Sequence, residues 1–82
     1  MTPEQCRAAR AWLDISQESL AKAAGVGLST VKDFESGKRT PIPSTQTAMK
    51  AALEKEGIGF SFSLGDDGKP CACGITFSKP HN

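Results

Sequence analysis

The sequence predicts a mainly α-helical fold of four helices followed by a C-terminal β-hairpin. Up to residue 57, apolar side chains recur at three- and four-residue intervals in segments bounded by residues that start or end helices. From Ile58 onwards, apolar residues alternate with small or polar ones, which is typical of strands. A chain of 82 residues is near the lower size for a single apolar core, so dimerisation is an expected source of added stability.

The first predicted helix begins at Pro3 and ends near Leu13. Thr2 is its expected cap, because proline suits the first helical position and Gln5 stands three residues after the cap. Helical spacing predicts that Cys6, Ala9 and Leu13 face the core, with Trp12 at its edge.

Residues 17–37 predict two short helices joined by a glycine turn. Ser16 is the expected cap of the first helix, and Gly25 stands where that helix should end. The second helix is expected from about Leu28 to a stop at Gly37. The inward residues are Leu20, Val26, Val31 and Phe34, and the outward ones are Ser29, Thr30, Lys32, Asp33 and Ser36. The second helix therefore presents a polar edge to solvent.

A proline-containing loop follows, because the stretch after Gly37 cannot continue a helix. A fourth helix is expected from Pro43 or Ser44 to about Glu56, with Gly57 as its end. Its core-facing residues are Met49, Ala52 and Leu53.

The hairpin is predicted from two alternating runs joined by the turn sequence GDDGKP. One apolar face is expected to carry Ile58, Phe60, Phe62 and Leu64 together with Cys71, Cys73, Ile75 and Phe77. Because an isolated hairpin is marginal in water, this face should pack on the helices, on a second copy, or on both. The expected dimer interface comprises Ile58, Phe60, Phe62, Leu64, Ile75 and Phe77. The predicted division is a domain of residues 1–57, a dimerisation element of residues 58–78 and a flexible tail of residues 79–82.

The stretch QESLAKAAGVGLSTVKDFESG resembles the helix-turn-helix of the lambda-repressor and Cro-like (XRE) DNA-binding domains. The matching features are the initial Gln17, the small Ala21, the turn Gly25, an inward valine and the terminal Glu-x-Gly. The resemblance extends over roughly residues 3 to 56. The sequence departs from the family pattern at Gly27 and Leu28, where the family usually has a polar cap and a long polar side chain.

The resemblance implies a sequence-specific regulator of transcription that binds double-stranded DNA, with the third helix in the major groove. It further implies a homodimer, expected to act as a repressor on an inverted-repeat operator. Small regulators of this resemblance are common in bacteria and their phages or mobile elements. The implied base-reading residues are Leu28, Ser29, Thr30, Lys32 and Asp33. The implied contacts to the DNA backbone are Ser16, Gln17, Ser36, Lys38 and Arg39. By the same resemblance, Arg10 on the first helix is expected to pair with Glu35.

A second function remains open, in which the chain keeps the fold but acts as a protein-interaction adaptor, antitoxin-like or anti-activator. The net charge of +1 favours this alternative, because duplex binding draws much of its affinity from phosphate neutralisation. Leu28 also favours it, although an apolar side chain suits a thymine methyl group in the major groove. Gln17 and the neighbouring Lys38 and Arg39 favour DNA.

Enzymatic activity is not expected, because no nucleophile, base and orienting group emerge together and the single histidine, His81, stands next to the end. Cys6, Cys71, Cys73 and His81 do not have the spacing of a structural zinc site, so neither a metal nor another cofactor is expected. No small-molecule ligand is evident. The sequence has no apolar run of membrane length and does not start with a signal-peptide core, so the predicted location is cytoplasmic.

Overall fold

A computed structural model describes residues 1–64 and 70–77, with side chains described for residues 1–60 and for Ile75 and Thr76. Four helices are followed by two antiparallel strands, so the predicted fold class is confirmed. The elements are α1 Pro3–Leu13, α2 Gln17–Ala24, α3 Leu28–Ser36, α4 Pro43–Lys55, β1 Ile58–Leu64 and β2 Pro70–Phe77.

Side-chain caps fix the starts of the first two helices. Thr2 and Gln5 form a reciprocal capping box at α1, in which the Gln5 amide donates to Thr2 Oγ1 at 3.2 Å and the Thr2 amide to Gln5 Oε1 at 2.9 Å. The Ser16 hydroxyl accepts from the Ser19 amide at 3.0 Å at the start of α2. Gly27 and Ile42 occupy the cap positions of α3 and α4 and provide no side-chain cap.

Glycines in the left-handed conformation end α2 and α3. Gly25 has φ +70° and Gly37 has φ +77°, and a Cβ added at either position would have nothing within 4 Å. Asp14 takes the same conformation after α1, with φ +55°. The chain therefore reverses sharply after each of the first three helices, which lets them pack on one another.

One apolar core joins the four helices to the start of the hairpin. Its members are Cys6, Ala9, Leu20, Ala21, Val31, Phe34, Met49, Leu53 and Ile58. Val26 and Leu13 pack against it while partly exposed, and Trp12 lies at the surface. Every helix contributes to this core, so α2 and α3 are held in place by α1 and α4.

The hairpin departs from the predicted dimer interface at Ile58. This side chain is only 3% exposed and belongs to the core of a single chain, so it has almost no surface to offer a second copy. Phe60 and Ile75 pair across the strands and are half-buried against the same core. The side chains of Phe62, Leu64 and Phe77, also predicted at the dimer interface, lie outside the described ones.

The strand register contains a second departure. A bulge lies between Ser61 and Phe62, where the pairing passes from Ser61↔Gly74 to Phe62↔Ala72. Cys71 consequently pairs with Ser63, so the strict alternation predicted from Cys71 to Phe77 is interrupted. Between these two pairs β2 has one residue more than β1, which shifts the register by one and places Cys71 opposite the polar Ser63 of β1.

Candidate nucleic-acid interface

Helices α2 and α3 form a pair whose shared side is apolar and whose outer side is polar. Leu20 and Ala21 of α2 are buried with Val31 and Phe34 of α3. The turn between them is fixed by the Val26 amide, which donates to the Ala21 carbonyl oxygen at 3.0 Å. The small, buried side chain of Ala21 allows the two helices to cross closely at this position.

The five side chains predicted to read bases lie on the outer part of α3. Leu28, Ser29 and Lys32 are exposed, whereas Thr30 and Asp33 are half-buried. The inward residues of the same helix are Val31, Phe34 and Glu35. The arrangement leaves a mixed apolar and polar surface along the outer side of a short helix.

A cleft of about 310 Å³ runs beside this surface, between α3 and the loop that leads to α4. Ser29, Thr30 and Asp33 line it from α3, and Arg39, Thr40 and Ile42 are among the residues that line it from the loop. Ile42 is 67% exposed, which makes it the most exposed large apolar side chain of the described residues. Sequence reasoning gave Ile42 no role, because its position beside α3 depends on the course of the loop.

The loop beyond α3 is anchored at one residue of that helix. The main-chain carbonyl oxygen of Asp33 accepts from the amides of Lys38 at 2.9 Å and Arg39 at 3.2 Å. The Asp33 carboxylate lies 3.9 Å from Arg39 Nε, measured from Oδ2. The main chain of Lys38 and Arg39, the two cations predicted to contact the DNA backbone, is therefore fixed next to α3. The Arg39 side chain faces the Asp33 carboxylate.

The other predicted backbone contacts have structural partners of their own. Ser16 Oγ caps α2 and also donates to Ser19 Oγ at 3.1 Å. Ser36 Oγ donates to the Asp33 carbonyl oxygen at 3.1 Å. Gln17 is half-buried, and its Nε2 donates to Glu35 Oε1 at 3.0 Å. The side chains of Lys38 and Arg39 are exposed at the surface.

The structure brings Arg10 and Glu35 together in a two-point ion pair. Arg10 Nε donates to Glu35 Oε2 at 2.7 Å, and Arg10 Nη2 donates to Oε1 at 2.8 Å. Arg10 Nη1 also donates to the Ile15 carbonyl oxygen at 3.0 Å. The Glu35 side chain is only 2% exposed, so this pair is buried rather than a weak surface contact.

Two further side chains donate to the same carboxylate. Cys6 Sγ lies 3.2 Å from Oε2, and Gln17 supplies the hydrogen bond to Oε1 described above. Arg7 Nη1 donates to the main-chain carbonyl oxygen of Glu35. Glu35 thus links α1, α2 and the end of α3 at one point.

A family model described as helix-turn-helix matches residues 7–54, which is more than half of the chain. The chain belongs to the lambda-repressor/Cro-like (XRE) helix-turn-helix family. It is a DNA-binding helix-turn-helix regulator. The family is one of DNA-binding regulatory domains rather than of enzymes. No curated protein gave a match to the sequence.

Burial and hydrogen bonding have opposing effects on the Glu35 carboxyl of this helix-turn-helix regulator. Burial raises its pKa, but hydrogen bonds from Arg10, Cys6 and Gln17 and the charge of Arg10 outweigh burial, so the pKa is held below its ordinary value. Burial, together with the bond to Glu35, raises the pKa of the Cys6 thiol to about 12. Cys6 is therefore a protonated hydrogen-bond donor at neutral pH rather than a reactive thiolate.

Sequence reasoning missed Cys6 and Gln17 as partners of Glu35. A local signal for Cys6 was present, because Cys6 and Arg10 are four residues apart on α1 and so share one side of the helix. The position of Gln17 followed from no local signal, since it depends on how α2 crosses α3.

Among the residues that the structure describes, no group of three or more His, Cys, Asp or Glu side chains lies in an arrangement that would hold a metal ion in this regulator. Cys71, Cys73 and His81 fall outside the described side chains. None of the helices in the described part of the chain has the length and apolar character to cross a membrane.

Proposed function

We propose that this regulator binds duplex DNA as a homodimer, with α3 in the major groove, and represses transcription by occupying an inverted-repeat operator. The observation that carries the proposal is the orientation of α3. Its apolar side and Glu35 are buried against the other helices, while Leu28, Ser29 and Lys32 are exposed along its outer side. A helix supported in this way is the element that helix-turn-helix proteins insert into the groove.

The proposed base contacts follow from the chemistry of each side chain. Leu28 suits a thymine methyl group, Lys32 suits guanine or a phosphate, and the hydroxyls of Ser29 and Thr30 can donate or accept. Asp33 has the acceptor oxygens that the cytosine amino group requires. Leu28 is at the first position of α3, where a residue can approach base edges most closely.

The proposed contacts to the DNA backbone come from both ends of the helix pair. Lys38 and Arg39 follow α3, and Ser16 and Gln17 stand at the start of α2, whose N-terminal amides favour an anion. Ser36 completes the proposed set at the end of α3. Such contacts fix the position and orientation of the protein and carry no direct sequence information.

The proposed dimer places the hairpin of residues 58–78 against a second copy and leaves residues 1–57 to contact DNA. Phe60 and Ile75, which remain half-buried in the single chain, support this proposal. Two copies of α3 should then lie about 34 Å apart on the two halves of an operator. Sedimentation of the free protein and footprinting on DNA test the dimer, and a monomer that protects one unrepeated half-site would contradict it.

The deciding experiment compares Lys38→Ala with Lys55→Ala in a binding assay over a range of salt concentrations. Both variants remove one exposed lysine, but Lys55 is in the last turn of α4, at the opposite end of that helix from the loop beside α3. Lys38→Ala should weaken binding to every sequence and reduce the salt slope by about 1. Lys55→Ala should leave the slope at the wild-type value. Equal slopes for Lys38→Ala and wild type would refute the phosphate contact.

The alternative function, a protein-interaction adaptor, is favoured by the net charge of +1 and by the exposed Leu28. A gel-shift assay on DNA from upstream of its own gene separates the two functions. Salt-dependent binding supports the DNA-binding regulator, and no binding even at low salt supports the adaptor.

A further inference from the structure

Asp33 and Arg39 form an ion pair on the surface that we assign to DNA, so the role given to them below rests on the proposed function. Asp33 Oδ2 and Arg39 Nε are 3.9 Å apart, and both residues line the cleft beside α3. The Asp33 side chain is 30% exposed, whereas that of Arg39 is 78% exposed. The anion is therefore held in place by its helix, and the cation is free to move away.

The main chain keeps the two groups together. Because the Asp33 carbonyl oxygen accepts from the Arg39 amide, the arginine starts its side chain within reach of the carboxylate. An ion pair this exposed is weak, so the guanidinium can leave once the carboxylate takes another partner. While the pair is intact, however, Arg39 does not neutralise a phosphate, so a complex with DNA has one neutralised phosphate fewer.

We propose that Asp33 restrains nonspecific DNA binding by holding the Arg39 guanidinium away from the phosphates. On a duplex of arbitrary sequence, the carboxylate keeps Arg39 because it has no better partner. On a matching sequence, a base-edge donor such as the cytosine amino group takes the carboxylate, and Arg39 moves to a phosphate. Asp33 thus lowers affinity for DNA in general and raises the ratio of specific to nonspecific binding.

The test uses Asp33→Asn and a duplex of about 20 base pairs, two helical turns, with scrambled sequence. The substitution keeps the size of the side chain and removes its charge. If Arg39 is released, the plot of log affinity against log salt concentration should become steeper by about 0.9. A steepening of this size changes the affinity ratio of variant to wild type about 3.5-fold over a fourfold range of salt.

Two controls separate release of Arg39 from a simple loss of negative charge. Glu54→Gln also removes one exposed carboxylate, from the last turns of α4, and should leave the slope unchanged. Asp33→Asn in an Arg39→Ala background should have no effect on the slope, because there is no guanidinium to release. Thermal unfolding of each variant verifies that the fold is intact.

The possible outcomes are distinct. A steeper slope for Asp33→Asn that disappears in the Arg39→Ala background supports the proposal. An unchanged slope overturns it, and so does a change that persists without Arg39, because Asp33 would then act through its own charge. If the wild-type protein binds no duplex at low salt, the proposed function fails and this inference fails with it.

Discussion

Glu35 is the residue through which three helices are joined. A carboxylate that is almost fully buried is costly unless its charge and lone pairs are satisfied, and here Arg10, Cys6 and Gln17 all donate to it. Gln17, a proposed DNA contact, is thereby tied to the interior of the molecule. The sequence indicated the pair with Arg10 only through a family resemblance, because the two residues are 25 positions apart.

Replacing Arg10 alone should lower the free energy of unfolding far more than replacing Arg10 and Glu35 together. Arg10→Met leaves the buried carboxylate without its counter-charge and should lower the free energy of unfolding by about 3–5 kcal/mol. Combining Arg10→Met with Glu35→Met removes the buried charge and should restore much of that loss. Urea unfolding at one protein concentration measures both variants.

Arg7→Met is the matched control for this prediction. Arg7 is exposed on the same helix and contacts the Glu35 main chain rather than its carboxylate, so its replacement should cost less than about 1 kcal/mol. A double variant no more stable than Arg10→Met alone would show that the buried charge is not the source of the loss.

At the scale of elements, the helices were predictable because their ends are determined locally. Thr2 and Ser16 cap helices within their own next three residues, and glycine is favoured at the positive φ that ends α2 and α3. The bulge in the hairpin was not predictable, because it depends on which residues of the two strands pair, and the alternating pattern does not fix that register. The sequence left open whether Ile58 packs on the helices or on a second copy, since an alternating pattern does not say what covers the apolar face.

The turn between α2 and α3 offers a matched pair of glycine substitutions. Gly25→Ala forces a side chain into φ +70° and should lower the free energy of unfolding by about 1 kcal/mol, although space for the Cβ exists. Gly27→Ala should cost less, because the loss of a glycine at the cap position of α3 is partly offset by the lower entropy of the unfolded chain. The φ of −74° at Gly27 suits alanine, and an added Cβ would lie at ordinary contact distances, 3.7 Å from Thr30 Oγ1 and 3.9 Å from Ser29 Oγ.

Thermal or urea unfolding of the two variants measures the difference. Equal losses would mean that the turn responds to side-chain bulk rather than to backbone conformation.

At the scale of the whole molecule, Glu35 makes stability depend on acidity. Its pKa in the folded chain is below the ordinary value of 4.5, so the unfolded chain takes up a proton at a higher pH than the folded chain does. The stabilisation is complete above the ordinary value and is lost as the pH falls through the folded pKa. The free energy of unfolding should therefore decrease from about pH 5 downwards.

Glu35→Gln should be less stable than the wild type at neutral pH and should lose less stability on acidification. Denaturant unfolding between pH 3 and pH 7 at one protein concentration provides the measurement. Glu54→Gln, which removes an exposed carboxylate from α4, is the control and should follow the wild-type curve. If Glu35→Gln lost as much stability on acidification as the wild type, other carboxyl groups would be responsible for the pH dependence.

The way α3 is held has a consequence for protein engineering. Val31, Phe34 and Glu35 are the buried residues of this helix, and glycines at positions 27 and 37 flank it. The positions that support the helix are thus separate from the exposed ones at 28, 29 and 32. Libraries that randomise only those three positions should yield folded variants that prefer different DNA sequences, so the scaffold is suited to the engineering of DNA specificity.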